Sequence, residues 1–138
     1  MTPYINTGFY LKALSDDLVG DLHRQLAERG YGEIRPAHGT VFQYMQEEGS
    51  RITDLAGRVK ITKQSISTLV YQLEEWGYLE RRPDPTDKRA VLFAFTDKGQ
   101  KVRELGRALN YEFEQQWAEK LGTEDFGRFR TFLQRLWE

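Results

Sequence analysis

The sequence predicts a mainly α chain with a small β wing, an α+β fold class, on three observations. Long stretches at both ends and short ones in the middle space apolar residues three or four apart, the helical period. Only two runs, residues 78–82 and 91–95, read as strands, and a polar loop of two prolines and four charges separates them. Between Ser50 and Tyr78 two short helical patterns are joined by Arg58, Val59, Lys60 and Ile61 alone, a spacing that reads as helix-turn-helix. The whole is a winged helix-turn-helix flanked by N- and C-terminal helices.

Each element has its own reason. Residues 1–8 hold Pro3 and Gly8 and read as a tail. From Phe9 to Glu28, Leu11, Leu14, Leu18, Leu22 and Leu26 line one face of a helix that ends at Gly30-Tyr31-Gly32. Pro36 starts the next helix, with Val41, Phe42 and Met45 inward. Ile52 is expected to pair with the wing as a third strand. Thr53 then caps a helix with Asp54 in its first turn and Leu55, Ala56 and Val59 on one face. The second helix of the pair starts at Thr62, buries Ile66, Leu69, Val70 and Leu73, and stops at Gly77. After the wing, Thr96 caps a long helix carrying Val102, Leu105, Leu109, Phe113 and Trp117, which ends at Leu121-Gly122. Gly106 costs this helix roughly 1 kcal/mol relative to Ala, and its expected use is a close helix approach or a bend. Thr123-Glu124-Asp125 caps a last helix with Phe126, Phe129, Phe132, Leu133, Leu136 and Trp137 apolar. So much aromatic surface needs a large cover. Residues 9–30 and 97–138 are therefore candidate dimerisation helices, although the same stripes would also close a monomeric core.

The length of 138 residues fits a single domain, 1–138, with 34–98 as its winged helix-turn-helix portion. There is no cysteine, which excludes disulfides, thiolate metal sites and thiol redox switches. There is no long apolar run or signal-peptide pattern, so the expectation is a soluble cytoplasmic protein with no membrane partner. Catalysis is not indicated: no nucleophile–base set, phosphate loop or metal pattern is present, and no cofactor is expected. The only histidines, His23 and His38, lack partners at ligand spacing, and a lone histidine is more often a packing residue.

The formal net charge is -1, but residues 51–90 carry 8 basic against 6 acidic side chains. The second helix of the pair opens with Lys63, Gln64, Ser65, Ser67 and Thr68 and has no acid until Glu74. Short hydrogen-bonding side chains let a helix approach a nucleic-acid groove, and a helix N-terminus favours a phosphate. An ordinary solvated face is the alternative, but such faces normally carry Glu. The wing tip, with Lys88 and Arg89, would reach a minor groove, where cations meet enhanced negative potential. Its alternative is a solvated loop whose charges pair among themselves.

From Leu55-Ala56 to Gly99 the chain resembles the MarR family of bacterial transcription regulators. The matching pieces are Thr62-Lys63-Gln64-Ser65, Leu73-Glu74-x-x-Gly77-Tyr78-Leu79, Arg81-Arg82, Asp84-Pro85-Thr86-Asp87-Lys88-Arg89 and Thr96-Asp97-Lys98-Gly99. The resemblance implies a homodimer that binds double-stranded DNA, as a repressor, over a pseudo-palindromic operator. Arg58, Lys60, Thr62, Lys63, Gln64, Ser65, Ser67, Thr68, Lys88 and Arg89 are its candidate DNA contacts. Thr86 stands where the family has the first Arg of the wing, which leaves Lys88 or Arg89 to supply the minor-groove contact. Asp84 and Asp87 are expected in an exposed basic loop, with Asp87 pairing Arg89 as a structural element of the wing. The resemblance also implies a crevice for a small aromatic or phenolic effector, with Phe9, Tyr10, Arg35, His38, Phe42 and Tyr111 as candidate lining. The other reading is a winged-helix protein-interaction module without DNA binding.

Overall fold

The computed structural model describes residues 2–138. Its elements run α1 (Thr7–Glu28), α2 (Pro36–Tyr44), α3 (Ile52–Val59), α4 (Lys63–Glu75), β1 (Leu79–Asp84), β2 (Asp87–Phe95), α5 (Asp97–Leu121) and α6 (Thr123–Trp137). This is the mainly α fold with a two-stranded wing that the sequence predicts. Among the described residues no helix is long and apolar enough to cross a membrane.

One core holds the middle of the chain together. Val41 from α2, Leu55 from α3, and Ile66, Val70 and Leu73 from α4 have no exposed surface, and Tyr78 and Leu79 at the base of the wing join them. The stripe that α4 was expected to bury is buried, with Leu69 at its edge. Helix α4 begins where expected because Thr62 Oγ1 accepts from the Ser65 amide at 3.1 Å, and Gly77 follows its end at φ +85°. At the other side α1 packs along α5, joining the core through Leu26, Val102 and Leu109.

Four boundaries differ from the sequence reading, the first at α1, which begins at Thr7 behind an Asn6 cap rather than at Phe9. Ile52 is not a strand residue. Ser50 makes the bridge instead, exchanging backbone hydrogen bonds of 2.9 Å with Phe93 in both directions, and Ile52 opens α3. Gly49 sets that register: at φ +106° it turns the chain so close to β2 that a Cβ there would lie 3.0 Å from the Phe93 carbonyl oxygen. Thr53 consequently lies inside α3, whose N-cap is Arg51. At α6 the N-cap is Gly122 rather than a Thr123 side chain.

The wing is also longer than predicted. Strand pairing runs from Leu79↔Phe95 to Asp84↔Asp87, so most of the expected loop is strand and the tip is only Pro85-Thr86. Pro83 is tolerated because β1 is an edge strand, and the register shift falls between Pro83 and Asp84.

Candidate nucleic-acid interface

The N-terminal half of α4 presents Lys63, Gln64, Ser65 and Thr68 to solvent, with Ser67 half-buried. The hydroxyls are not equivalent. Thr62 Oγ1 donates to Ser65 Oγ at 2.9 Å while capping the helix, so its proton is spent locally and Thr62 shapes the helix end. Thr68 donates to the Gln64 carbonyl at 3.1 Å. Among the described residues no hydrogen bond engages the side chains of Lys63 or Gln64. Of the α3 candidates, Arg58 leans on the Tyr44 carbonyl at 3.3 Å, which ties it to the end of α2.

Lys60 forms the turn of the helix pair in the left-handed region, φ 57° and ψ 37°, and is exposed. This conformation costs an L residue roughly 1–2 kcal/mol, and glycine adopts it freely but loses more entropy on folding. Lys60→Gly is therefore expected to raise stability by up to about 1 kcal/mol while removing a cation beside α4. Thermal melts and duplex titrations should move in opposite directions, and a variant unchanged in DNA affinity removes Lys60 from the interface.

The wing separates its cations into two sets. Arg81 pairs with Glu74 at 2.7 Å and lies over the rings of Tyr71 and Phe93, and Arg82 pairs with Glu80 at 2.7 Å. Lys88 and Arg89, at the tip end of β2, are exposed and enter no ion pair among the described residues. The expected Asp87–Arg89 ion pair does not form. Asp87 instead accepts from the Arg89 backbone amide at 2.9 Å, holding the tip as an Asx turn and leaving the guanidinium free.

The expectation of a solvated Asp84 is overturned: the residue is only 6% exposed. Its carboxylate accepts the Thr86 amide at 2.9 Å, the Thr86 hydroxyl at 2.7 Å and Arg51 Nε at 2.7 Å. Thr86, the departure from the family pattern, is thus a partner of Asp84, and Arg51 ties the wing tip to the start of α3. The Thr86 bonds, and then Arg51, hold the Asp84 carboxyl down to about 2. Its stabilising effect is then present above the unfolded value of 3.8 and is lost as pH falls from there towards 2. Asp84→Asn should remove that acid-sensitive component and loosen the tip at neutral pH. Faster exchange of the Thr86 and Arg89 amides is the expected signature, and unchanged exchange would deny Asp84 an anchoring role.

The expected effector residues do not come together. Phe9, Tyr10 and Tyr111 are more than half exposed, and Arg35 is exposed at the N-cap of α2. His38 is buried and satisfied: Nδ1 accepts from the Arg35 amide at 2.9 Å, which leaves Nε2–H for Gln72 Oε1 at 2.8 Å, with the ring edge-on to Trp76. Of the six, Phe42 lines the cavity between α1, α2 and α5. That cavity, about 130 Å³, is lined also by Leu22, His23, Leu26, Ile34, Gly39, Gln43, Val102, Arg103, Gly106, Arg107 and Asn110. His23 Nδ1 donates to the Ile34 carbonyl at 3.0 Å, and burial lowers its pKa.

Sequence reasoning missed Arg103 and Arg107 here. The available signal was their spacing with Gly106 and Asn110 on one face of α5. Gly106 brings no helix close, contrary to expectation: a Cβ there would meet nothing within 4 Å, since the residue borders open space.

A family model described as MarR family matches residues 34–90, the reach from Ile34 through the wing tip. Over that stretch the chain is similar to the MarR family. The transcriptional regulator YdcH of Bacillus subtilis (strain 168) is 29% identical over 99 residues, which are 70% of this chain and 67% of YdcH. The transcriptional regulator Tm0710 from Thermotoga maritima superposes with a TM-score of 0.63 at 28% identity, over 92% of this chain and 88% of that one. CouR from Rhodococcus jostii RHA1, solved bound to p-coumaroyl-CoA, gives a TM-score of 0.75 at 26% identity over 95% and 91%. The chain therefore shares its architecture, from α1 to α6, with the transcriptional regulator Tm0710 and with CouR.

Proposed function

We propose that this protein is a MarR-family regulator that binds a pseudo-palindromic operator as a homodimer and represses from it, and that a small aromatic anion filling the α1–α2–α5 cavity releases it. The observation that carries the reading is the N-terminal half of α4: an exposed, acid-free surface on which the Lys63 and Gln64 side chains have no partner among the described residues. Ser65 and Thr68 extend that surface, and Lys88 and Arg89 are the wing's free cations. Side chains of these types donate to base edges and phosphates, and two copies related by a two-fold axis would read half-sites about one turn apart.

The cavity supports the effector part. At about 130 Å³ it is close to the roughly 150 Å³ of an engineered apolar cavity that admits benzene, enough for one ring. Leucines, Ile34 and Phe42 form its apolar side, and Arg103 and Arg107 supply positive charge for an anionic substituent. CouR's bound p-coumaroyl-CoA also carries an aromatic ring, which fits this choice of effector class.

Selection from a random duplex pool, with the winners titrated against salt, tests the reading. The expected result is a two-fold-symmetric site bound with a negative salt slope. Folded dimer that enriches nothing at low salt would replace it with the protein-interaction alternative.

A further inference from the structure

Where α4 meets the wing, the chain holds an exposed phenol that it does not itself use. Tyr71 follows Gln64 and Thr68 at helical spacing, on the outward stripe of α4. It is 48% exposed, and among the described residues no hydrogen bond engages its hydroxyl. Its ring is nonetheless fixed. The Arg81 guanidinium lies 5.6 Å from the ring centroid, and the Phe93 ring stands 6.0 Å away at a tilt of 59°. Arg81 is held in turn: Nε donates to Glu74 Oε2 at 2.7 Å and Nη2 to Glu74 Oε1 at 3.2 Å, a fork that joins β1 to α4. A cation over a tyrosine face attracts it, and the fork fixes where that cation sits. The ring is therefore ordered ahead of any partner, which lowers the entropy lost on binding one.

The surroundings indicate what that partner is. Pro83 and Val91 pair across the hairpin, two residues beyond the Arg81–Phe93 pair and on the same face. Val91 is 43% exposed, so this face is apolar between Tyr71 and the tip cations Lys88 and Arg89. Arg81 is engaged by Glu74 and is not free to meet an anion there. The two grooves of a duplex are divided by a sugar-phosphate strand. With α4 in a major groove and the wing tip in the neighbouring minor groove, that strand crosses the junction of α4 and hairpin.

We infer that Tyr71 is a backbone contact of the DNA interface: its phenol donates to a phosphate of the strand that crosses between α4 and the wing, and Arg81, forked to Glu74, is the positioning residue that holds the phenol there. The inference rests on the DNA-binding reading and adds to it a neutral contact, blind to sequence. A phenol neutralises no phosphate charge, so it adds affinity without adding to the salt slope.

The test compares the native chain with Tyr71→Phe and Arg81→Lys on two duplexes, the selected operator and an unrelated mixed-sequence duplex of the same length. Tyr71→Phe removes one exposed oxygen, so its thermal melt should match the native one. Its affinity should fall by about fivefold or more, by the same factor on both duplexes, with the salt slope unchanged. Operator phosphates are then replaced one at a time by methylphosphonates. At one phosphate per half-site the replacement should weaken the native chain more than Tyr71→Phe, the coupling expected of two groups in contact. Arg81→Lys keeps the charge and loses the fork. It should weaken binding by the native chain and much less in the Tyr71→Phe background, where no hydroxyl remains to be placed. A wing that has merely loosened would lose equally in both.

Unchanged affinity of Tyr71→Phe, a loss on the operator alone, or coupling to no phosphate would overturn the inference. Additive losses from Arg81→Lys and Tyr71→Phe would overturn the role of Arg81. A native chain that binds neither duplex at low salt fails the regulator reading and the inference with it. Native binding that Tyr71→Phe leaves untouched fails the inference alone.

Discussion

Gly99→Ala is expected to be the most destabilising single-methyl change in the chain. A Cβ at this position would lie 2.1 Å from the Tyr78 carbonyl oxygen and 3.1 Å from both the Tyr78 carbonyl carbon and Phe95 Cδ1. Two of these are backbone atoms, and neither can rotate away. The Tyr78 carbonyl already accepts the Thr96 amide at 3.1 Å, and Thr96 Oγ1 donates to the Gly77 carbonyl at 2.6 Å while accepting the Gly99 amide. Tyr78 itself is fully buried, its phenol hydrogen-bonded to Glu33 and its ring under Lys98 Nζ at 4.3 Å. The methyl must push the start of α5 off the base of the wing, against all of these contacts. Overpacking of this kind costs about 1–3 kcal/mol and more where backbone is the obstacle. At fixed protein concentration the melting temperature should fall by about 3–5 °C for each kcal/mol lost. Gly106→Ala is the internal control, because it adds a methyl to the same helix in open space. It should stabilise by about 1 kcal/mol while narrowing the cavity. Equal effects of the two substitutions would show that helix propensity, not the approach to Tyr78, governs both.

These two glycines mark where the sequence was legible and where it was not. Local signals sufficed for α4, because Thr62, the Ile66–Leu73 stripe and Gly77 each act within one turn of their own position. They sufficed for the order of elements and for the exposed face of α4 for the same reason. They failed wherever a residue's role depends on a distant partner. Nothing adjacent to Asp84 announces that Arg51, 33 positions away, will bury it. Nothing near Ile52 says that Gly49 has already turned the strand contact over to Ser50. The cavity was missed for a related reason. The sequence points to aromatic residues as its lining, yet Phe9, Tyr10 and Tyr111 face outward, and its charge comes from Arg103 and Arg107 of α5.

The outward-facing aromatics lead to the second large effect, on assembly. Along α6 burial fades with position: Phe126 is buried, Phe129 half-buried, and Phe132, Leu133, Leu136 and Trp137 are exposed. The beginning of the chain mirrors this, with Tyr4, Ile5, Phe9, Tyr10 and Leu11 all exposed in the protomer. Covering such a side chain is worth about 1.5–3 kcal/mol, so two sets of nine outweigh the roughly 4–15 kcal/mol lost in association. In the proposed homodimer a second copy of the chain would supply the cover, with the two-fold symmetry that the operator reading requires. Replacing Leu136 and Trp137, at 81% and 80% exposure, with Asp should therefore leave the protomer folded and make it monomeric. Helical circular dichroism should persist while sedimentation reports half the native mass. Operator affinity should fall by roughly 10²–10⁴, since the second half-site no longer benefits from tethering to the first. A variant that stays dimeric places the interface elsewhere. A monomer that binds the operator undiminished would show that one α4 and one wing are enough, and would remove the symmetry from the proposed recognition.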